Sequence, residues 1–269
     1  MLDIVKDHPR LFLAEWQKLK RTPALYLLIV GALFTATIVF IGHSLDVHHM
    51  VKLNMNPWER YFNASISIFA LFLIVPFLVL FVSAATYIEQ QANGWKFLYT
   101  LPYHRGQLFF AKLFSIITLL LASIATMLLA IVLSAYLLNF FRPEYEFTYF
   151  SPDIASMINT LSHSAIACLG IVGWQYLLSL RFKNFLIPLG IGILGFITAL
   201  LLSLTSSTIA PYIPYSYPML VKDFDMFKNE FITEDYFLGL NNIESYSLLW
   251  FFACTLIALV YESRKNITD

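Results

Sequence analysis

Residues 66–86 read ISIFALFLIVPFLVLFVSAAT. A helix needs about 20 apolar residues to cross the hydrocarbon core of a bilayer, and this run supplies them without a charge. The apolar side chains are continuous rather than alternating, which favours a helix over a barrel strand. Its proline, Pro76, is expected to kink that helix, a distortion neighbouring helices tolerate. Working outward, five further runs have the same character: 24–41, 113–138, 162–180, 185–204 and 246–261. None of the six contains Asp, Glu, Lys or Arg. The fourth carries Ser162, His163, Ser164, Trp174 and Gln175, and the sixth is short enough to need a thinned setting. The expected fold is an all-α integral membrane protein with six transmembrane helices.

Composition agrees. The chain has 269 residues, 59% of them hydrophobic and 13% charged, with a mean hydropathy of +0.70. Soluble domains carry about a quarter charged residues, so this chain has roughly half the usual number. The formal net charge of zero argues against a basic surface for nucleic acid. The placement of the charges says more. Lys6, Arg10, Lys18, Lys20, Arg21, Lys96, Arg105, Lys112, Arg181, Lys183, Arg264 and Lys265 fall on one side of the six spans; Lys52, Arg60, Arg142, Lys222 and Lys228 fall on the other. Acidic residues reverse the bias, with only Asp3, Asp7, Glu15, Glu89, Glu262 and Asp269 on the first side. The positive-inside rule therefore predicts a multi-pass protein of the cytoplasmic membrane with both termini in the cytoplasm. The layout is a cytoplasmic amphipathic segment (1–23), a six-helix domain (24–261) and a cytoplasmic tail (262–269). Within the domain, 87–112 is the longest cytoplasmic connection. An external loop over 205–245 holds Pro211, Pro214 and Pro218, then the acidic stretch from Asp223 to Asp235. Short interfacial helices are expected there.

Several chemistries are missing. Cys168 and Cys254 lie in apolar runs with no metal-ligand spacing. About twenty polar and mixed residues precede the first apolar run, which is itself too long for the hydrophobic core of a signal peptide. No P-loop is present, so the chain does not bind ATP by that route. No HExxH, intramembrane carboxylate pair or acidic–basic relay is visible, which disfavours ion-driven transport. His43, His48 and His49 lie with Asp46, Met50 and Met55 in the first external connection. His and Met ligate copper, but solvated loop residues are the favoured reading. Ser162-His163-Ser164 suggests nucleophilic catalysis only if an acidic partner exists, and none is near in sequence. No catalytic or metal site is expected.

Residues 89–112, EQQANGWKFLYTLPYHRGQLFFAK, carry the functional signal. Phe97, Leu98 and Leu101 share one helix face with Gly94, beside Trp95, and Pro102 ends the helix. Such a short amphipathic helix lies on a membrane or inserts in a groove of a partner. At the N-terminus, Pro9 suits a first helical turn and Phe12, Trp16 and Leu19 line one face, so a basic amphipathic interfacial helix is expected.

Glu89, Gly94-Trp95-Lys96, Thr100-Leu101-Pro102, Arg105 and Lys112 resemble the signature of ABC-2 type permeases. Trp95-Lys96, Pro57-Trp58 and Tyr215-Ser216-Tyr217-Pro218 look most like the branch containing lantibiotic-immunity permeases. The resemblance implies a permease subunit of an ATP-binding-cassette exporter, itself no enzyme. ATP and Mg would be bound by a separate cytoplasmic P-loop ATPase, and a second permease chain, identical or homologous, would complete the assembly. It implies that Glu89, Gly94, Trp95, Phe97, Leu98, Leu101, Pro102 and Arg105 form the ATPase-coupling region, a cytoplasmic coupling helix. Gly31, Ala32, Thr35 and Ala36 are small-xxx-small pairs suited to close helix contact; by resemblance they would meet the second permease. The absence of charged ligands in the spans points to an amphipathic, peptide-like or lipidic substrate. The competing reading is a non-transporting membrane scaffold or sensor that regulates a cytoplasmic partner through the same helix.

Overall fold

The computed structural model describes residues 2–20, 23–45, 56–91, 104–205, 207–221 and 240–264. They form α1 (Leu2–Lys20), α2 (Pro23–Leu45), α3 (Pro57–Ile68), a π-helical turn (Phe69–Leu73), α4 (Ile74–Gln91), α5 (Arg105–Phe141), α6 (Ile154–Arg181), α7 (Leu186–Leu204), the short α8 (Tyr217–Leu220) and α9 (Asn242–Arg264). Five stretches are long and apolar enough to cross a membrane: Pro57–Ile88, Arg105–Phe141, Ile154–Arg181, Leu186–Leu204 and Asn242–Arg264. Within α2 the apolar stretch is the shorter Ile29–Leu45.

The helices outrun the apolar runs because helix ends are set by capping, not by hydropathy. At the start of α5 the His104 backbone N–H donates to the Gln107 side-chain oxygen at 3.0 Å, which opens a helix of 37 residues. Asp153 caps α6 by accepting from the Ser156 N–H at 3.0 Å. Asn241 and Glu244 cap α9 reciprocally, each side chain accepting from the other's backbone N–H at 2.8 Å. The extended helices therefore do contain charged groups: Lys112, Glu244 and Glu262 are all buried. A reading that stops each span at its last apolar residue misses them.

Pro76 acts differently from a simple kink. A proline ring clashes with the carbonyl of the residue four before it, here Phe72. The helix widens to a π turn at that point, with the Ile74 N–H bonded to the Phe69 carbonyl, and runs on as α4. The α3–α4 span is the central element. Leu78, Val79, Phe81 and Val82 are buried in one core with Ile116, Leu120 and Met127 of α5 and Ile171 and Val172 of α6.

The small-residue face of α2 is occupied inside the chain. Gly31 seats the Phe77 ring, whose Cγ lies 3.0 Å from where a Cβ would be. Ala32, Thr35 and Ala36 are buried beside it, and Thr35 Oγ1 donates to the Gly31 carbonyl at 2.9 Å. The bulky face of α2, with Val30, Leu33, Phe34 and Ile41, is the exposed one. Gly31, Ala32, Thr35 and Ala36 serve packing within one chain.

The most extensive packing joins α6 to α9, which run parallel. Gly170 and Gly173 allow the approach. The Gly170 N–H donates to Ser247 Oγ at 2.9 Å, and a Cβ on Gly173 would stand 2.9 Å from Phe251 Cα. Small residues at a helix crossing permit this closeness in membranes, where packing rather than hydrophobicity drives association.

Part of the 205–245 connection is not an interfacial loop. Ala210, Tyr215, Ser216, Tyr217, Met219 and Leu220 are buried in the bundle, folded as two 3₁₀ turns (Ala210–Tyr212 and Pro214–Ser216) and α8. Tyr215 lies against Gly195, with a ring carbon 2.3 Å from where a Cβ would be. At 1.5 Å per residue, Gly195 is about 13 Å below the end of α7. Irregular backbone is tolerated at such depth because protein, not lipid, surrounds it. The acidic stretch from Asp223 to Asp235 lies outside the described residues.

Candidate functional site

One end of the bundle gathers the end of α1, the exit of α4, the start of α5, the α6–α7 turn and the end of α9. This is the Lys- and Arg-rich end. Glu89 lies in the last turns of α4. Gly94, Trp95, Phe97, Leu98, Leu101 and Pro102 lie outside the described residues, so the coupling region is described only at its two margins. Arg105 opens α5 and reaches across to α9. Its guanidinium donates to the carbonyls of Glu262 at 3.3 Å and Ser263 at 3.5 Å. A cation at the open carbonyls of a helix C-terminus answers both their unmet acceptors and the negative end of the helix dipole. The exit of the coupling region is therefore tied to the end of the last span.

The amphipathic α1 packs on α5. Its buried stripe is Leu11, Glu15 and Leu19, four residues apart, with Phe12 and Trp16 half-buried beside it. The Phe12 and Trp16 rings stack at 6.4 Å. The sequence predicts Phe12, Trp16 and Leu19 on one face, and in the structure Leu19 is buried while Phe12 and Trp16 are half-buried beside it. Glu15 is buried on the same stripe, its carboxylate paired with Lys18 one turn on.

Inside the bundle a polar seam runs through Gln175 of α6. Its amide nitrogen donates to Ser83 Oγ of α4 and to the Pro188 carbonyl of α7, both at 2.8 Å. Its amide oxygen accepts from the Tyr215 hydroxyl at 2.8 Å. One fully buried side chain thus joins α4, α6, α7 and the buried turn. The Pro188 carbonyl lies in the first turn of α7 and has a second lone pair for this bond, and Gly192, one turn on, lets α7 come close, with a Cβ position 3.0 Å from Gln175 Oε1. Gln175→Leu is expected to leave the Tyr215 and Ser83 hydroxyls without this partner, at about 1–3 kcal/mol for each buried group left unsatisfied. A lowered Tm of the purified protein checks this, and an unchanged Tm would show that the seam contributes nothing.

At the opposite end, His163 and Glu244 meet. His163 Nδ1 lies 2.5 Å from Glu244 Oε1, whose side chain is fully buried. The acidic partner that Ser162-His163-Ser164 lacked in sequence is thus supplied by the start of α9, 81 residues away. The serines do not complete a nucleophilic site. Ser162 Oγ donates to the Ile158 carbonyl at 2.8 Å and Ser164 Oγ to Thr160 at 3.1 Å, so both hydroxyls serve their own helix. His43 is not a solvated loop residue. It is buried, with Nδ1 2.9 Å from the Val39 carbonyl and its ring against Tyr61 at 5.0 Å. Asp46, His48, His49, Met50 and Met55 lie outside the described residues, and no cluster of metal-ligating side chains occurs among those described. Trp58 pins the connection after α5, its indole N–H donating to the carbonyls of Phe147 at 3.0 Å and Phe150 at 2.8 Å.

The profile of the ABC-2 family transporter proteins matches residues 11–199. The chain belongs to the ABC-2 transporter family. Searches of curated proteins and of solved structures found no match. The matched region begins in α1, contains the coupling region and Arg105, and ends in α7. The ABC-2 chain is a membrane subunit of an ABC transporter, a class whose ATPase resides in a partner. The family match does not separate the lantibiotic-immunity branch from the others. Of the residues implied for coupling, the structure positions Arg105 against α9. The Gln175 seam and the His163–Glu244 pair went unread in the sequence, because their partners lie on separate helices.

Proposed function

We propose that this ABC-2 chain is the permease half-subunit of an exporter in the cytoplasmic membrane, with both termini in the cytoplasm. The observation that carries this reading is the family match across the coupling region, together with the Arg105 tie from the end of that region to α9. A partner P-loop ATPase would bind ATP and Mg, dock on the coupling helix and α1, and move the start of α5. The long α5 and the Arg105 link then carry the shift to α9, and α9 carries it to α6 and the Gln175 seam. Coupling of this kind requires only that ATP prefer one arrangement of the spans. A second permease chain would pack on exposed apolar faces such as Leu33, Phe34 and Ile38 of α2 and Leu194, Ile197 and Leu201 of α7. Substrates with amphipathic, peptide-like or lipidic character suit spans walled mainly by apolar side chains.

Topology is tested by cysteine labelling in intact cells. Cys168 and Cys254 are both buried, so background reaction is low once they are replaced by Ala. Cysteines placed at Asp46, Glu146 and Asp225 are expected to react with an impermeant reagent, and a Gln91→Cys variant is not. Labelling of Gln91→Cys would overturn the orientation. Co-expression with a P-loop ATPase encoded beside this chain should yield a complex whose ATP hydrolysis responds to substrate. A stable complex without transport would favour the scaffold reading.

A further inference from the structure

We propose that the basic end of the α6–α9 pair is a binding site for the headgroup of an anionic phospholipid. A cavity of about 780 Å³ opens there, lined by Arg181 at the end of α6, Lys183 in the α6–α7 turn, and Tyr261, Arg264, Ile257 and Val260 of α9. Among the described residues no carboxylate lines it, and Glu262, beside Tyr261 in sequence, is buried. The C-termini of two parallel helices meet at this end, and their partial negative charge draws cations. That attraction does not account for Arg181. Its guanidinium lies 5.6 Å from the centre of the Tyr261 ring, and among the described residues neither Arg181 nor Arg264 donates to a helix carbonyl or pairs with a carboxylate. Two guanidinium groups at the mouth of an open cavity call for an anion.

The wall of the cavity selects the source of that anion. Ile257 is 57% exposed and Val260 48% exposed. The apolar strip continues along α9 through Leu256, Phe252 and Leu249, all exposed. Such a strip lies within a span, where hydrocarbon is the medium. An acyl chain would lie on it while the phosphate sits among the cations at the membrane surface, the arrangement by which basic pockets between membrane helices take lipid headgroups. An acidic segment of a soluble protein would leave this strip unused.

The proposal rests on the orientation given above only for the choice of leaflet. Its test needs no ATPase, so either result leaves the transporter reading standing, and loss of ATPase binding would leave this one standing. The full chain is purified in detergent and offered equimolar phosphatidylglycerol and phosphatidylcholine, and retained lipid is read by native mass spectrometry. The parent is expected to prefer phosphatidylglycerol. Each cation neutralised should reduce the preference about fivefold, the factor for a basic residue near an anionic surface. Arg181→Gln with Arg264→Gln should nearly abolish it, whereas Arg181→Lys with Arg264→Lys should keep it. Lys183→Gln, in an exposed turn, gives the single-charge loss should the double variant not fold. Arg142→Gln, at the other end of the bundle, should change nothing. Undiminished preference in the Gln variants would overturn the proposal. So would displacement of the lipid by millimolar inorganic phosphate, which marks a free-anion site, or by an equal concentration of a polyglutamate peptide, which marks a protein-docking surface.

Discussion

Replacing Phe97 and Leu101 together with Asp is expected to abolish co-purification of the ATPase and substrate-stimulated ATP hydrolysis. Their spacing predicts a helix face shared with Leu98 in the proposed cytoplasmic coupling region, where exposed apolar side chains normally have a partner. Anchors buried in a groove each cost about 2 kcal/mol or more when truncated. Two of them lower affinity about a thousandfold, at 1.4 kcal/mol per factor of ten. The spans should still insert, since no residue within the membrane changes. Lys96→Ala, on a different face, should cost far less. The control for the fold is Arg105, whose bonds to the Glu262 and Ser263 carbonyls remain in the Asp variant. If the double Asp variant binds the ATPase at normal affinity, the helix lies on lipid and the proposed docking role is lost.

Gly173→Leu is expected to be the most destabilising single substitution in the α6–α9 interface. The first atom of the new side chain would stand 2.9 Å from Phe251 Cα and 3.1 Å from the Phe251 carbonyl oxygen. Backbone cannot turn aside as the tip of a side chain can, so the two helices must separate. Separation removes the Gly170–Ser247 bond at 2.9 Å and loosens the packing beyond it. Overpacking costs about 1–3 kcal/mol and sometimes more, which for a chain of this length lowers Tm by roughly 2–12 °C. Gly190→Leu is the matched control: a Cβ there meets nothing within 4 Å. A Gly173→Leu protein with an unchanged Tm would mean that α6 and α9 do not approach as closely as this geometry requires.

The contrast between those glycines marks the boundary between sequence and structure. Residues 66–86 declare a membrane span because a bilayer imposes one requirement, apolar length, that each segment meets by itself. The same holds for the alternation of basic and acidic connections, which reports orientation one loop at a time. The periodicity of Phe97, Leu98 and Leu101 is equally local. These features, with the motif from Glu89 to Lys112, were enough to place the chain among ABC-2 proteins.

Contacts between segments were not legible. Gly31 reads as a small residue suited to helix packing, and Gly173 carries no signal of its own. Only the folded chain shows that one seats Phe77 and the other a neighbouring backbone. Glu244 is buried beside His163, a partner 81 residues away in sequence. Residues 207–220, polar and proline-rich enough to read as an external loop, fold inward because Gly195 leaves room for Tyr215 and Gln175 accepts its hydroxyl. Hydropathy and periodicity are sums over neighbours along the chain, so the sequence by itself determined the all-helical membrane fold and the motif that marks the family. Which faces meet depends on shape and on hydrogen-bond partners brought from elsewhere, and that the tertiary structure alone decided.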